Sequence, residues 1–152
     1  MAVVELTFES ELAAPPERVW AWVTSVRGIN SELRPLLRMT APARVQRLDD
    51  VLVVAGKPVF RSWVLLLGLL PIDRSDLTLT MLEDGKGFLE ESPMLSMKRW
   101  RHERTLLARD AATLLTDQLT FEPRFATGLV RWFVGAVFRH RHRVLRRAFA
   151  QR

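Results

Sequence analysis

Residues 126–152, ATGLVRWFVGAVFRHRHRVLRRAFAQR, are the stretch that decides the fold of this 152-residue chain. Apolar residues recur in it at spacings of three and four, which predicts one long helix with a broad buried stripe. A helix of this length must lie across a sheet, because only a sheet can cover so much apolar surface. We therefore expect a space between helix and sheet, and we expect the function to reside there. The stripe consists of Val130, Phe133, Val134, Val137, Phe138, Val144, Leu145 and Phe149.

The chain before this helix predicts one strand, two short helices and then about six strands. Apolar and polar residues alternate over 3–13, which is typical of a strand with one buried face. Pro16 lies in the first turn of a short helix that we expect to end at Gly28, and Asn30 or Ser31 caps a second short helix. The later strands are predicted at 61–70, 76–83, 87–93, 97–108 and 113–122, with 44–55 either a strand pair turned at Asp49 and Asp50 or partly loop.

The length and composition favour a single domain over 1–152. Cysteine is absent, so disulfides and thiolate chemistry are excluded and a reducing compartment is expected. The N-terminus has no basic stretch followed by an apolar run, so we predict no secretion signal. The longest nearly uncharged apolar run, 63–72, is about half of a bilayer span. These features predict a soluble, cytoplasmic protein.

The net charge of +6 is concentrated at the end of the long helix. Residues 139–152 hold six Arg and no acid, which equals the whole excess, and 1–138 sum to zero. Cations at a helix C-terminus complement the helix dipole, so we favour a solvated basic helix end. The alternative is peripheral contact with an anionic membrane through Arg139, Arg143 and Arg146. No nucleic-acid partner is expected, and the oligomeric state stays open.

The order of elements and four short segments resembles the START-like or SRPBCC superfamily, which includes polyketide cyclase/dehydrase-like proteins and the birch-pollen-allergen fold. The segments are AAPPERVW (13–20), WRHERT (100–105), DQLTFEP (117–123) and FRHRH (138–142). The resemblance covers nearly the whole chain, with 40–60 poorly matched. It implies an α+β helix-grip fold: a curved antiparallel sheet of about six to seven strands around the C-terminal helix, with two short helices after the first strand. It also implies a cavity for an apolar or amphipathic molecule, and it carries over no catalytic residue.

A hairpin turning at Asp110 and Ala111 brings titratable side chains onto one strand face. If the loop has two or four residues, the residue numbers of each facing pair add up to 221. The predicted pairs are Leu106 with Leu115, Arg104 with Asp117, His102 with Leu119, and Trp100 with Phe121.

The face formed by this hairpin is apolar, with His102, Arg104 and Asp117 set into it. A charge on an apolar face must be paired, and Arg104 with Asp117 is a natural cross-strand pair. Three roles stay open for the trio: a structural network, orientation of a ligand, and catalysis, with His102 the one weak catalytic candidate. Glu90 lies two positions after Phe88 on the neighbouring strand and therefore shares its face, so we add Glu90 to these three candidate residues.

The sequence offers no motif for the common enzyme classes and predicts neither a metal nor a cofactor. His140 and His142 are two apart on a helix and point roughly 200° apart, whereas a shared metal needs a spacing of three or four. A phosphate-binding Gly-rich loop, a nucleophile elbow, a zinc pattern and an aromatic-basic nucleic-acid motif are all missing.

We expect the protein to bind a small hydrophobic or amphipathic molecule between sheet and helix. A metal-free cyclase/dehydratase-like enzyme in the same cavity, and an interaction module that uses the basic helix end, are the alternatives; a cavity filled by its own side chains also stays open. The expected apolar wall is Leu77, Leu79, Met81, Phe88, Trp100, Leu119, Phe121, Phe133, Val137 and Phe138. The expected polar contacts are Glu90, His102, Arg104 and Asp117.

Overall fold

The structure is a computed structural model that describes residues 3–48 and 57–150. Within these ranges seven strands form one antiparallel sheet in the order β1-β7-β6-β5-β4-β3-β2, which curls as a half-barrel around the long helix. The predicted helix-grip architecture is confirmed. The elements are β1 (Val4–Leu12), α1 (Pro16–Val23), α2 (Val26–Leu33), β2 (Leu37–Met39), β3 (Pro58–Leu66), β4 (Leu70–Glu83), β5 (Gly87–Glu91), β6 (Met97–Arg109), β7 (Ala112–Pro123) and α3 (Thr127–Ala148).

The long helix α3 contributes to two apolar cores, one at each end of the sheet. Leu145, in its C-terminal half, packs in a cluster with Leu12 and Trp20. In its N-terminal half, Phe138 packs in a second cluster with Phe121. Full burial of each such side chain stabilises the fold by about 1.5–3 kcal/mol. None of the described helices is long and apolar enough to cross a membrane.

The first helix ends earlier than predicted, and Gly28 does not end it. α1 stops at Val23, and the Ser25 side chain caps α2 by accepting a hydrogen bond from the Gly28 backbone N–H at 2.9 Å. α2 then continues through Gly28. A Cβ on this residue would lie 1.9 Å from the Trp22 carbonyl oxygen, so the glycine marks a close approach of two backbones.

The second helix is also not capped by Asn30 or Ser31. The Asn30 side chain instead pairs with the Met39 backbone, donating to its carbonyl at 3.0 Å and accepting from its N–H at 2.8 Å. This pairing holds α2 beside β2, which begins at Leu37.

The turn between β3 and β4 falls at 67–69, earlier than the predicted break around Pro71. Leu67 and Gly68 take positive φ values of 53° and 74°, which reverse the chain there. β4 runs on through Pro71 as one long strand. A shift of register between Leu79 and Met81 turns Met81 outward.

The stretch 44–48 forms no strand, although Val45 and Leu48 are buried. The remainder of the predicted 44–55 strand pair, including its turn at Asp49 and Asp50, lies outside the described residues.

Candidate functional site

The hairpin β6–β7 has the predicted register. Its turn lies at Asp110, which takes a φ of 55°, and Ala111. All four predicted cross-strand pairs are confirmed: Leu106 with Leu115, Arg104 with Asp117, His102 with Leu119, and Trp100 with Phe121. The even loop length keeps His102, Arg104 and Asp117 on the face that α3 covers.

Arg104 and Asp117 form a two-pronged ion pair at the centre of this face. Arg104 Nε donates to Asp117 Oδ1 at 2.7 Å, and Nη2 donates to Oδ2 at 2.8 Å. Both side chains are completely buried. Burial alone would raise the pKa of Asp117, but the Arg104 charge and then His102 hold this pKa well below its ordinary value. The pKa of Arg104 is raised, because its carboxylate partners outweigh the effect of its burial.

Glu32 of α2 binds the other side of Arg104 and joins it to α3. Arg104 donates to Glu32 through Nη2 at 2.9 Å and through Nη1 at 3.2 Å. Arg141 Nε donates to the same carboxylate at 3.1 Å, and its guanidinium lies 4.8 Å from the Phe138 ring centroid. The expectation of a wholly solvated basic helix end is therefore wrong for Arg141, because it is buried and paired.

Two histidines bind the two oxygens of Asp117. His102 Nε2 lies 2.7 Å from Oδ1, and His142 Nε2 lies 2.7 Å from Oδ2. His142 Nδ1 lies 2.8 Å from the Ser10 hydroxyl, which also accepts from Arg146 at 2.8 Å. Strand β1, strand β7 and helix α3 are thus joined through one carboxylate.

Sequence reasoning missed Arg141 and His142 as interior residues, although a signal was present. Arg141 and His142 follow Phe138 by three and four positions and precede Leu145 by four and three. They therefore lie on the same helical stripe as the core residues. No comparable pattern in the sequence indicated that Glu32 is buried, because the residues that its side chain meets depend on where α2 begins and ends.

Glu90 on β5 faces His102 across the β5–β6 pair. Its Oε1 lies 3.7 Å from His102 Nδ1, and its Oε2 accepts from the Ser92 hydroxyl at 2.6 Å. Burial alone would raise the pKa of Glu90. The neighbouring His102 ring and then the hydrogen bond from Ser92, with a smaller contribution from Trp100, lower this pKa below its ordinary value of 4.5. Glu90 is therefore an ionised carboxylate at neutral pH.

A cavity of about 270 Å³ lies between the sheet and the N-terminal half of α3. Among the residues that line it, Ile72 and Phe125 are exposed and mark where it opens. Ser75 Oγ is buried and lacks a hydrogen-bond partner among the described residues. The apolar lining is Leu33, Leu37, Met39, Val64, Ile72, Met94, Met97, Trp100, Phe125, Val130, Phe133, Val134, Val137 and Phe138. The polar lining is Asp73, Ser75, Glu90, Ser96, His102 and Arg141.

The structure divides the predicted site residues into four groups. Residues that line the cavity are Glu90, Trp100, His102, Phe133, Val137 and Phe138. Residues buried behind its wall are Arg104, Asp117, Leu119 and Phe121. The predicted residues Leu77, Leu79 and Phe88 line a second cavity of about 60 Å³. Glu90, His102 and Arg141 line both cavities. Met81 lines neither cavity and is exposed, because the β4 irregularity rotates it outward.

Besides Arg141, three polar lining residues were missed from the sequence: Asp73, Ser75 and Ser96. Asp73 and Ser75 are in phase with Leu77 on β4, which is a signal that could have found them. Asp73 is held by the Ser96 backbone N–H at 3.1 Å and by the Ser96 hydroxyl. Ser96 lies between strands, where no periodicity indicates its direction.

Comparison with protein families matches residues 10–149 to a domain of unknown function, DUF8410. This match covers most of the chain. The chain belongs to the DUF8410 family. No match was found among curated proteins.

Solved structures show that this DUF8410 member has a START-like fold, as the sequence predicted. A START superfamily protein from Mycobacterium smegmatis is 11% identical, with a TM-score of 0.65 over 95% of this chain and 96% of that chain. Ara h 8.0201 is 11% identical, with a TM-score of 0.59 over 95% of this chain and 98% of that chain. DynU16, from the dynemicin biosynthetic locus, is 17% identical, with a TM-score of 0.58 over 93% of this chain but 46% of DynU16.

The cavity of this DUF8410 domain combines an apolar body with a polar wall. Its fold is consistent with a ligand-binding scaffold. Across 3–48 and 57–150, no cluster of three or more His, Asp or Glu side chains is arranged to hold a metal ion. The wall presents the hydrogen-bonding side chains of Glu90, His102 and Ser75 to the cavity.

Proposed function

We propose that the protein binds a small amphipathic molecule in the cavity beneath α3, with the apolar part against the helix and a hydroxyl group against the polar wall. The buried Ser75 hydroxyl carries this proposal, because it lies in the lining without a partner among the described residues. A buried polar group left unpaired costs about 1–3 kcal/mol, and a ligand hydroxyl would recover that loss.

The charges on the wall support a neutral hydrogen-bonding group over an anionic one. Glu90 is ionised and accepts hydrogen bonds, so a ligand carboxylate beside it meets repulsion. The cation in the lining, Arg141, is already paired with Glu32. A hydroxyl can donate to Glu90 and exchange a hydrogen bond with Ser75. The volume of about 270 Å³ is close to the lower end of ligand pockets, roughly 300–1,000 Å³.

Three naphthalenes of similar size test this preference. Titration of the protein with 1-naphthol, naphthalene and 1-naphthoate can be followed by isothermal titration calorimetry, because the five tryptophans of the chain and the naphthalenes fluoresce in the same range. We expect 1-naphthol to bind most tightly and 1-naphthoate most weakly. Ser75→Ala and Glu90→Gln should each reduce the advantage of 1-naphthol over naphthalene by roughly tenfold, the value of one hydrogen bond to a buried or charged group.

A cavity-filling substitution separates this site from nonspecific binding. Val134→Trp places a larger side chain in the lining, and we expect it to abolish binding of all three compounds. Leu107→Trp is the matched control, because Leu107 is exposed on β6 and lies outside the lining. Equal binding by the wild type and Val134→Trp would overturn the proposal. Native mass spectrometry of the purified protein would identify a co-purifying ligand.

A second candidate function is proton transfer on a bound ketone or aldehyde, as in a cyclase/dehydratase-like enzyme. The observation that favours it is the chain Asp117–His102–Glu90, in which Asp117 orients the ring and the Glu90 carboxylate faces the cavity. An ionised carboxylate held in an apolar cavity can remove a proton from carbon next to a carbonyl group.

Deuterium exchange of 1-tetralone in D2O, followed by proton NMR, tests this second function. Catalysis predicts exchange faster than in buffer alone, lost in Glu90→Gln and strongly reduced in His102→Asn, while both variants retain the binding of naphthalene, which needs no hydrogen bond to the polar wall. An exchange rate equal to that of buffer would remove the enzyme hypothesis and leave the binding hypothesis intact.

A further inference from the structure

Large apolar side chains are exposed around the mouth of the cavity. They come from three segments, 66–74 at the β3–β4 turn, 94–96 between β5 and β6, and 124–132 at the start of α3, and a fourth segment, 34–38 before and within β2, lies beside the β3–β4 turn. The side chains are Leu67, Leu69, Leu70, Ile72, Leu95, Phe125, Leu129 and Trp132. Leu69 is 85% exposed and Trp132 is 64% exposed. We call these eight residues the apolar rim.

Backbone hydrogen bonds join the four segments into one surface. The Leu67 N–H donates to the Leu36 carbonyl at 2.8 Å, which joins the β3–β4 turn to the segment before β2. Leu95 donates to Arg74 at 3.2 Å, and Arg124 donates to Ser96 at 3.0 Å. Ile72 and Phe125 belong both to the rim and to the cavity lining, so the rim borders the opening at these residues. Trp132 projects from the outer face of α3, away from the lining residues Val130 and Val134.

The charged residues between the rim side chains are almost all positive. Arg34, Arg38, Arg124 and Arg131 are exposed in these segments. Asp73 is the sole acid within the four segments, and it is buried and bonded to Ser96. The surface around the mouth therefore combines projecting apolar side chains with exposed arginines that form no ion pair with any residue the structure describes.

We propose that the apolar rim docks the protein on an anionic lipid bilayer, with the mouth of the cavity facing the membrane. Leucine and aromatic side chains enter the boundary between headgroups and acyl chains, where tryptophan is favoured. The arginines attract anionic headgroups. A symmetric dimer through the same surface would bring like charges together, which disfavours a second copy as the occupant.

This docking surface lies at the opposite end of α3 from the basic residues singled out in the sequence. Leu129 and Arg146 are separated by 17 helical residues, or about 26 Å along the axis. Arg146 is already bonded to Ser10. The Phe149 backbone, just beyond α3, accepts from Ala13 near α1, far from the cavity mouth.

Sedimentation with lipid vesicles tests the proposal. We expect the protein to bind vesicles of phosphatidylcholine and phosphatidylglycerol more tightly than vesicles of phosphatidylcholine alone, and to bind more weakly as salt is added. Leu69→Ser combined with Trp132→Ser should weaken binding roughly tenfold or more, because two exposed apolar anchors are removed. Met81→Ser combined with Leu107→Ser is the matched control, since both residues are exposed but distant from the mouth.

The charge variants identify which end of α3 meets the membrane. Arg124→Gln with Arg131→Gln should weaken binding to the anionic vesicles, whereas Arg139→Gln with Arg143→Gln should not. Loss of binding in the second pair alone would overturn the proposal. So would absence of vesicle binding, or a dimer in solution that the Leu69/Trp132 variant abolishes.

Membrane docking and ligand binding can be tested independently of each other. Vesicle binding does not require an occupied cavity, and the Leu69/Trp132 variant should retain 1-naphthol binding. A rim variant that keeps full vesicle affinity contradicts docking, whatever the result with the naphthalenes.

Discussion

Glu32 and Arg104 are 72 positions apart in the chain, yet they bind each other through two hydrogen bonds in a site with no exposure to solvent. Arg104 also binds Asp117, and Glu32 also binds Arg141. These four side chains carry two positive and two negative charges. The network is therefore neutral overall and joins α2, the sheet and α3.

Removing one member of this network should destabilise the fold strongly. Glu32→Ala leaves Arg141 without its carboxylate and Arg104 with one carboxylate instead of two. We expect a loss of about 3–5 kcal/mol in the free energy of unfolding, measured by urea denaturation at neutral pH. Glu9→Ala, on the exposed face of β1, should change it by no more than about 0.5 kcal/mol.

A double-mutant cycle shows whether the pair acts as a unit. Glu32→Gln combined with Arg104→Gln should lose clearly less stability than the sum of the single variants, because each single variant leaves the partner's charge buried. Strict additivity would contradict a direct interaction.

The stability of the protein should fall in acid through Asp117 and Glu90. Their pKa values in the folded state are lowered, from ordinary values of 3.8 for Asp117 and 4.5 for Glu90. The unfolded chain therefore binds more protons in the window below these values, and stability is lost as the pH falls through it. Urea denaturation at a series of acidic pH values should show this slope.

Glu90→Gln should flatten the upper part of this slope, near and below pH 4.5, because one of the two carboxylates no longer titrates. Glu9→Gln controls for the loss of one exposed carboxylate. An identical pH dependence in the wild type and Glu90→Gln would contradict a lowered pKa of Glu90 in the folded protein.

The hydrogen bonds around His142 predict a single ring tautomer. Asp117 Oδ2 accepts and does not donate, so Nε2 carries the proton. Arg146 donates to the Ser10 oxygen, and the Ser10 hydroxyl can donate its hydrogen to Nδ1 of the neutral ring. Nitrogen-15 NMR of the imidazole should show protonated Nε2 and unprotonated Nδ1, and the reverse pattern would contradict the network.

Gly28 should tolerate no side chain, although it lies within a helix. Gly28→Ala places Cβ 1.9 Å from the Trp22 carbonyl oxygen, and we expect a loss of about 3 kcal/mol or more. Gly128→Ala is the matched comparison, because no atom lies within 4 Å of its Cβ position. That substitution should raise stability by about 0.5–1 kcal/mol. Thermal unfolding of the two variants should shift in opposite directions.

Local periodicity determined what could be predicted about the strands and the long helix. Because the loop of the β6–β7 hairpin has an even number of residues, the alternation of side chains along the two strands was enough to predict that Arg104 pairs with Asp117. Periodicity failed where the β4 irregularity turned Met81 outward. It also failed to show that α1 ends at Val23 and that the Ser25 side chain begins a new helix, α2, which includes Gly28.

The sequence by itself determined the helix-grip fold, the apolar stripe of α3 and the placement of His102, Arg104 and Asp117 on the covered face. The stripe and the placement follow from spacings of two, three and four along one chain, which physical chemistry translates directly into faces. The helix-grip fold was implied by the resemblance of the element order and four short segments to the START-like superfamily. The tertiary structure alone decided that Glu32 completes the buried network, that Ser75 lies in the cavity without a hydrogen-bond partner among the described residues, and that the apolar rim lies beside the mouth of the cavity. Each of those depends on distances between elements remote in sequence, which sheet curvature and helix packing set.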